Sequence, residues 1–320
     1  TDSYGEHEWT VRLKDSTGQY SPFSEVFTYS TVRPDLLPEN ESVTPVNPTM
    51  ANVVAYYKFD VNVTTNGNVV IDETGNNNGY FLGSGASNNK IGDGLFGSDY
   101  FNFDNRLGGA SVVVPSSPEL SFTDGNIDQP FSISVWFKLY GEGKGSYLLV
   151  SKGSLYGEED FKAEYNLVYT DFSNDTNGQK PYIGLGFSDL SEGDGTFRRI
   201  DVPIGQGDLN YDDGWNSLIV TTTGNNQYDG NNTVFYLNGV YKRSTNTPPS
   251  EDDRNDYKCM EASDAPLAIG HRGIPDEAFE GQDNPLIIGM DEVVIFDKVL
   301  SKDEVNFIYN NRQGNPITNG

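Results

Sequence analysis

An aspartate inside an apolar strand is the residue of this sequence most in need of a chemical reason. Asp291 lies in the run Ile287-Ile288-Gly289-Met290-Asp291-Glu292-Val293-Val294-Ile295-Phe296. An unpaired carboxylate buried there is costly unless a cation or a set of donors takes up its charge. Asp291 therefore reads as a metal ligand that ties a late strand to a loop near the start of the domain. Two more acids stand where a hard cation can use them. Asp60 ends the strand Val53-Val54-Ala55-Tyr56-Tyr57-Lys58-Phe59-Asp60, and Asp72 opens the turn-rich loop Asp72-Glu73-Thr74-Gly75-Asn76-Asn77-Asn78-Gly79. Ca2+ takes roughly six to eight oxygen ligands and mixes carboxylates with backbone carbonyls, so a carboxylate-ended strand beside a Gly/Asn loop suits it. Asp72 either joins the set or caps its own turn. The two histidines, His7 and His271, have no nucleophile signature nearby and read as surface residues. Aromatic residues are the remaining signal, because sugar rings stack on exposed rings while amides and carboxylates take their hydroxyls. Trp136 is the candidate ligand residue among them; it lies opposite an apolar stripe and covers either a second layer or a groove.

These side chains need strands to hold them. Phe131, Ile133, Val135, Phe137 and Leu139 alternate on one face of a nine-residue run. Residues 148–153 supply the next short strand, 215–223 another, and 233–242 a hairpin folded at Asn238-Gly239. Trp215 opens its strand as a packing anchor. One helix is expected from Ser301, where Ser301 and Glu304 form a capping box before Val305, Phe307, Ile308 and Tyr309. Short apolar runs separated by Gly, Asn, Asp, Ser and Thr indicate an all-β chain.

Acids outnumber bases 47 to 21, giving a net charge of −26. Such a chain is repelled by phosphate backbones and anionic lipid, so nucleic acid and membrane surfaces are poor partners. A solvated acidic face is the plain reading of the excess. No run is long enough for a membrane span. Cys259 is the only cysteine, which excludes an internal disulfide or a thiolate cluster.

The chain opens without Met in what reads as the middle of a β domain, so Thr1 is not expected to be the natural start, and any targeting signal would lie upstream of it. Trp9-Thr10-Val11-Arg12-Leu13-Lys14, a turn at Asp15-Ser16-Thr17-Gly18 and a second strand over 23–29 form a hairpin. With Glu8, Ser21, Ser24 and Phe27 this segment resembles the end of a fibronectin type III domain. The expected division is a fibronectin-like part at 1–30, a Pro-rich linker at 31–50 carrying Pro34, Pro38, Pro45 and Pro48, a main domain at 51–312 and a tail at 313–320. A lone hairpin is marginal in water, so a neighbouring domain or subunit is expected to cover residues 1–30.

The main domain resembles the laminin-G-like, concanavalin A-like jelly rolls. The landmarks are residues 55–60, the 72–79 loop, Phe131-Ser132-Ile133-Ser134-Val135-Trp136, Val150-Ser151-Lys152-Gly153, Gly214-Trp215, Phe235-Tyr236-Leu237-Asn238-Gly239, Leu267-Ala268-Ile269-Gly270, and Met290-Asp291-Glu292-Val293 followed by Leu300-Ser301. The resemblance implies a two-sheet antiparallel jelly-roll sandwich with one sheet concave. It also implies a structural calcium held by Asp60, backbone oxygens near Asn78 and Gly79, and Asp291. Segments 158–177 and 248–258 depart from the family as acidic insertions and are expected to be surface loops. Glycan-cleaving members carry a Glu-x-Asp-x-x-Glu signature that Glu158, Asp160 and Glu164 nearly meet, the last acid falling one residue late. Three functions are carried forward. The first is a non-catalytic adhesion or carbohydrate-binding module, extracellular or on a cell or virion surface, stabilised by calcium. The second is a structural protein-interaction module of a fibre, appendage or phage particle. The third is a glycan-cleaving enzyme.

Overall fold

The structure, a computed structural model, describes residues 5–9, 27–31, 50–60, 67–83, 89–90, 94–95, 99–104, 110–140, 145–153, 164–171, 181–189, 196–205, 207–211, 214–224, 232–242, 259–270 and 287–310. The chain divides into two compact units, Thr1–Pro45 and Val46–Gly320. In the first, β1 (Gly5–Trp9) pairs antiparallel with β2 (Phe27–Thr31), Trp9 opposite Phe27. Val11 and Leu13 of the expected hairpin lie outside the described residues. A two-stranded pair occurs in many β folds and does not by itself single out a fibronectin type III domain.

The second unit runs β3 (Val53–Tyr57), β4 (Val69–Val70), β5 (Gly79–Gly83), β6 (Asn89–Lys90), β7 (Tyr100–Asp104), β8 (Ala110–Val114) and β9 (Phe131–Tyr140). It continues with β10 (Gly145–Lys152), β11 (Tyr165–Asp171), β12 (Tyr182–Asp189), β13 (Thr196–Pro203), β14 (Asn216–Thr222) and β15 (Thr233–Leu237). Then come β16 (Val240–Lys242), β17 (Leu267–Gly270), β18 (Ile287–Phe296) and the helix α1 (Lys302–Asn310). Two antiparallel sheets result. Sheet I is ordered β16-β15-β14-β9-β18-β7-β6 with β3 also on β18; sheet II is ordered β13-β12-β11-β10-β17-β8-β5-β4. This is the expected jelly-roll sandwich. Alternation explains the layers: Phe131, Ile133, Val135, Phe137 and Leu139 face inward from sheet I and meet Val112, Val114, Leu149, Leu167, Leu185 and Ile269 of sheet II, all buried in one core. Each such side chain contributes about 1.5–3 kcal/mol on burial.

The acidic segment 158–177 is not wholly a surface loop. Tyr165, Leu167 and Tyr169 alternate inside it and are fully buried, so Tyr165–Asp171 enters sheet II as β11. Period-two burial outweighs the acidic flanks. Segment 248–258 lies outside the described residues.

The outer face of sheet I is covered by α1. Its Val305 and Ile308 pack with Val53, Tyr56, Ile219, Val294, Phe296 and Leu300. The expected capping box forms: the Ser301 amide donates to Glu304 Oε2 at 2.9 Å, and the Glu304 amide donates to Ser301 Oγ at 3.3 Å.

β18 is flanked on one side by β9 along most of its length. On the other side it is shared, since β7 pairs with Ile287 to Met290 and β3 pairs with Val293 to Phe296. Asp291 and Glu292 fall in the gap between the two neighbours, where the register against β9 also shifts. The lone acid inside an apolar strand thus marks a bulge at the point where the strand changes partner.

Candidate functional site

Asp291 is fully buried, and its carboxylate accepts hydrogen bonds from the backbone amides of Glu292 and Leu95, each at 2.9 Å. Glu292 is buried beside it and accepts a short hydrogen bond from the Tyr56 hydroxyl. Burial, with Glu292 and Asp60 close by, pushes the Asp291 carboxyl up to about 8 against the pull of the Leu95 amide. Burial also pushes Glu292 up to about 7, with Asp60 adding to the shift and Tyr56 and Lys58 opposing it. Asp60 itself is exposed.

Backbone conformation points to the same place. Among the described residues three non-glycine residues have positive φ: Phe59 at 56°, Asn238 at 52° and Glu292 at 49°. Asn238 is the hairpin turn. The other two adjoin Asp60 and Asp291, and strain of this kind, about 1–3 kcal/mol per residue, collects at functional sites.

The other expected ligands are placed differently. Asp72 is buried, and its Oδ1 accepts from the amides of Tyr56 at 2.8 Å and Thr74 at 3.1 Å. Its Oδ2 accepts from the amides of Asn76 at 3.2 Å and Asn77 at 2.8 Å, and from the Thr74 hydroxyl. The Glu73 amide donates to Tyr56 O at 2.9 Å, and the Asn77 amide side chain donates to Val54 O at 3.0 Å. The 72–79 loop thereby closes the edge of β3 that faces away from β18, with Asp72 capping the turn. Asn78 Oδ1 accepts from the Asp72 amide at 2.9 Å. Gly79 is needed for packing, since a Cβ there would come 2.6 Å from Val112 Cγ1. The site therefore brings Asp60 towards Asp291, while Asp72 and the Asn78 side chain serve the loop. Among the described residues no group of three or more His, Cys, Asp and Glu side chains is gathered for a metal. Two carboxylates completed by carbonyls and water still meet the needs of Ca2+. Two adjoining buried acids held above their usual range fit a cation that would let both ionise.

Glu292 was not among the sequence candidates. Its signal was present as the second of two consecutive acids, because a regular strand cannot turn both to one face without a bulge.

Trp136 is 2% exposed and stacks on Tyr309 of α1 with ring centroids 6.0 Å apart. It packs beneath the helix. Trp215 is half-buried and edge-on to Tyr100 at 5.4 Å, with the Lys138 ammonium 4.8 Å from its ring centroid. Among the described residues the exposed aromatics are Tyr80, Tyr211 and Tyr241.

Of the near-match to the glycosidase signature, Glu158 and Asp160 lie outside the described residues. Glu164 is fully buried, 3.3 Å from the equally buried Lys152 ammonium. It also accepts from the Ser121 hydroxyl at 2.8 Å and the Ser263 amide at 2.9 Å.

A family model described as the concanavalin A-like lectin/glucanases superfamily matches residues 108–306. The chain belongs to this superfamily. No curated protein matches the sequence. Among solved structures, the superfamily domain resembles the binding domain of Paraclostridial Mosquitocidal Protein 1, with TM-score 0.52 and 16% identity over 81% of this chain and 52% of that one. It resembles botulinum neurotoxin type C, whose cell entry is described as dependent upon interaction with two ganglioside molecules, with TM-score 0.53 and 13% identity over 82% and 52%. It also resembles the binding domain of botulinum neurotoxin DC, solved in complex with rat synaptotagmin II, with TM-score 0.52 and 13% identity over 83% and 53%. At these identities the likeness is one of fold. The chain spans about half the length of the structures it matches.

Proposed function

We propose that the jelly roll is a non-catalytic binding module that recognises cell-surface glycan from an extracellular position, with one calcium ion as a structural element. The observation that carries the non-catalytic side is Glu164, whose carboxylate is locked in a buried ion pair and serine contacts and is not free for acid–base work. The fold shared with toxin binding domains supports the binding side.

Asp60 and Asp291 would hold the calcium, with Glu292 beside them and loop carbonyls completing the set. The ion would supply the positive charge that the buried pair needs in order to ionise. Asp291 keeps its carboxylate oriented through the Leu95 and Glu292 amides.

The test is a glycan array probed with and without chelator, run beside a polysaccharide release assay. Saccharide binding without product release is expected. Release of oligosaccharide product would overturn the proposal in favour of an enzyme, and self-assembly with no glycan bound would favour the structural module.

A further inference from the structure

The segment that leads into β14 is tied to both sheets and carries an exposed ring. On one side the Tyr211 hydroxyl bonds to the hydroxyl of Tyr169 in β11 of sheet II, which in turn donates to Asp171 Oδ2 at 3.0 Å. On the other side Asp208 Oδ1 takes the Lys242 ammonium of β16 in sheet I at 2.5 Å, and the Asn238 side-chain amide donates to Asp208 O at 3.0 Å. Tyr169 is fully buried, yet Tyr211 is 47% exposed, and the side chains of Asp208 and Lys242 are 25% and 19% exposed. Asp208 lies close enough to act on Tyr211. Burial and then Asp171 raise the Tyr211 hydroxyl, the bond to Tyr169 opposes them, and Asp208 adds to the rise.

This stretch is fixed before any ligand arrives. The Asn210 amide donates to Asn216 Oδ1 at 2.8 Å, and the Asn216 side chain returns a bond to Asn210 O at 2.9 Å. The Asn210 side chain donates to Trp215 O at 3.0 Å, and the Gly205 amide donates to Asp208 Oδ2 at 2.7 Å. The buried bond from Tyr169 to Asp171 anchors the Tyr211 hydroxyl while its ring stays open to solvent. A ring already held in one place loses little freedom when a ligand lies on it. The other exposed tyrosines are set differently: Tyr80 stands between Val69 and Val113 in its sheet, and Tyr241 leans edge-on against Tyr236. Beside Tyr211 the polar groups come in complementary kinds. Lys242 has three N–H donors and gives one to Asp208, whose carboxylate uses two of its roughly four acceptor positions.

We infer that Tyr211, with the Asp208–Lys242 pair beside it, is a glycan subsite that stacks a neutral pyranose on the ring and takes its adjacent hydroxyls on the carboxylate and the ammonium. The inference rests on the proposed glycan-binding function and gives that function a location. A sugar hydroxyl both donates and accepts, so a neighbouring acceptor and donor can hold two adjacent hydroxyls at once. The ring supplies an apolar face of the kind that sugar C–H groups cover. Charge selects the class. Asp171 and Asp208 outnumber Lys242 here, and the chain as a whole carries −26, so sialylated or sulfated glycans are opposed.

An array of neutral and sialylated oligosaccharides, probed with wild type, Tyr211→Ala, Tyr211→Phe, Lys242→Met and Tyr80→Ala, tests this, with the Tm of each protein measured free of glycan. Tyr211→Ala and Lys242→Met should each weaken binding of neutral glycans about tenfold or more. Tyr211→Phe keeps the ring and loses its tie, so it should bind more weakly than wild type and more strongly than Tyr211→Ala. Tyr80→Ala should bind as wild type does. Lys242 is partly exposed on an edge strand, so Lys242→Met should keep Tm within about 2 °C and decides the matter if Tyr211→Ala unfolds. Wild-type affinity retained by both Tyr211→Ala and Lys242→Met would overturn the subsite and leave the glycan-binding function standing, as would a loss of binding confined to Tyr80→Ala. A wild type that binds sialylated glycans alone would overturn the neutral assignment. A wild type that binds no arrayed glycan would overturn both the subsite and the function.

Discussion

Replacing Glu164 by Gln separates a structural carboxylate from a catalytic one. Glu164 and Lys152 are both fully buried and 3.3 Å apart. Removing one charge of such a pair leaves the other uncompensated, at a cost of about 3–5 kcal/mol. Lys152 keeps oxygen partners at Ala265 O (2.7 Å), Ser116 Oγ (3.1 Å) and Ser263 O (3.3 Å), which places the cost at the lower end. Glutamine keeps the volume and an acceptor for the Ser263 amide, so packing changes little. A loss of about 3 kcal/mol corresponds to a fall in Tm of about 6–12 °C for a domain of this class. Urea denaturation with a constant m-value is the second measurement. The double variant Lys152→Met with Glu164→Leu should recover most of the loss, because an apolar pair of similar volume often equals a buried ion pair. A catalytic carboxylate behaves in the opposite way, since replacing one commonly stabilises the fold while abolishing turnover. If Glu164→Gln melts at or above the wild-type temperature, the structural account of this residue is wrong.

Three further outcomes are expected. In chelator the wild type should lose stability as pH rises from about 4 to 8, because Asp291 stays protonated in the folded state up to about 8 while its ordinary value is 3.8, and Asp291→Asn should show a shallower slope that ends near 7, where Glu292 titrates. Calcium at a hundredfold over its Kd should return about 2.7 kcal/mol to the wild type alone; identical melting in chelator and in calcium at every pH would remove the ion from the account. Asp72→Ala strips the acceptor from four backbone amides and should cost about 2–4 kcal/mol, with faster amide exchange at Tyr56 and Asn77; unchanged protection there would contradict the loop-closing role. Gly239→Ala places a Cβ 2.5 Å from Tyr309 Cδ1 at φ +76° and should cost about 1–3 kcal/mol, part of which Tyr309→Ala relieves in a double-mutant cycle; strict additivity would deny the contact.

Local patterns were legible in the sequence where a single element decides them. The Phe131 to Leu139 stripe faces the core as alternation requires, the Asn238-Gly239 turn has both residues at positive φ, and the Ser301–Glu304 box caps α1. Features made by two distant elements were not. Trp136 was placed opposite the apolar stripe, yet nothing local says that Tyr309, far along the chain, covers it. Asp291 was visible because an acid breaks an apolar run. Its fixing by the Leu95 amide and the bulge shared with Glu292 depend on two other strands meeting β18 end to end. The side-chain amide of Asn166, buried on β11 with neither its Oδ1 nor its Nδ2 hydrogen-bonded, left no trace, since a sequence shows a residue's polarity but not whether a partner reaches it.

The shared flank of β18 has a consequence for how the domain comes into being. β3, β7 and β9 are made well before Ile287–Phe296, and each lacks a neighbour until that strand arrives. At about 5–20 residues per second, the ribosome leaves three strand edges waiting for many seconds, open to wrong pairing. Closure of sheet I is then a long-range event that must await β18, and contacts of such sequence separation fold slowly. A chain ended before Ile287 would keep the pieces of sheet I apart and present the unpaired edges of β3, β7 and β9 to other copies of itself.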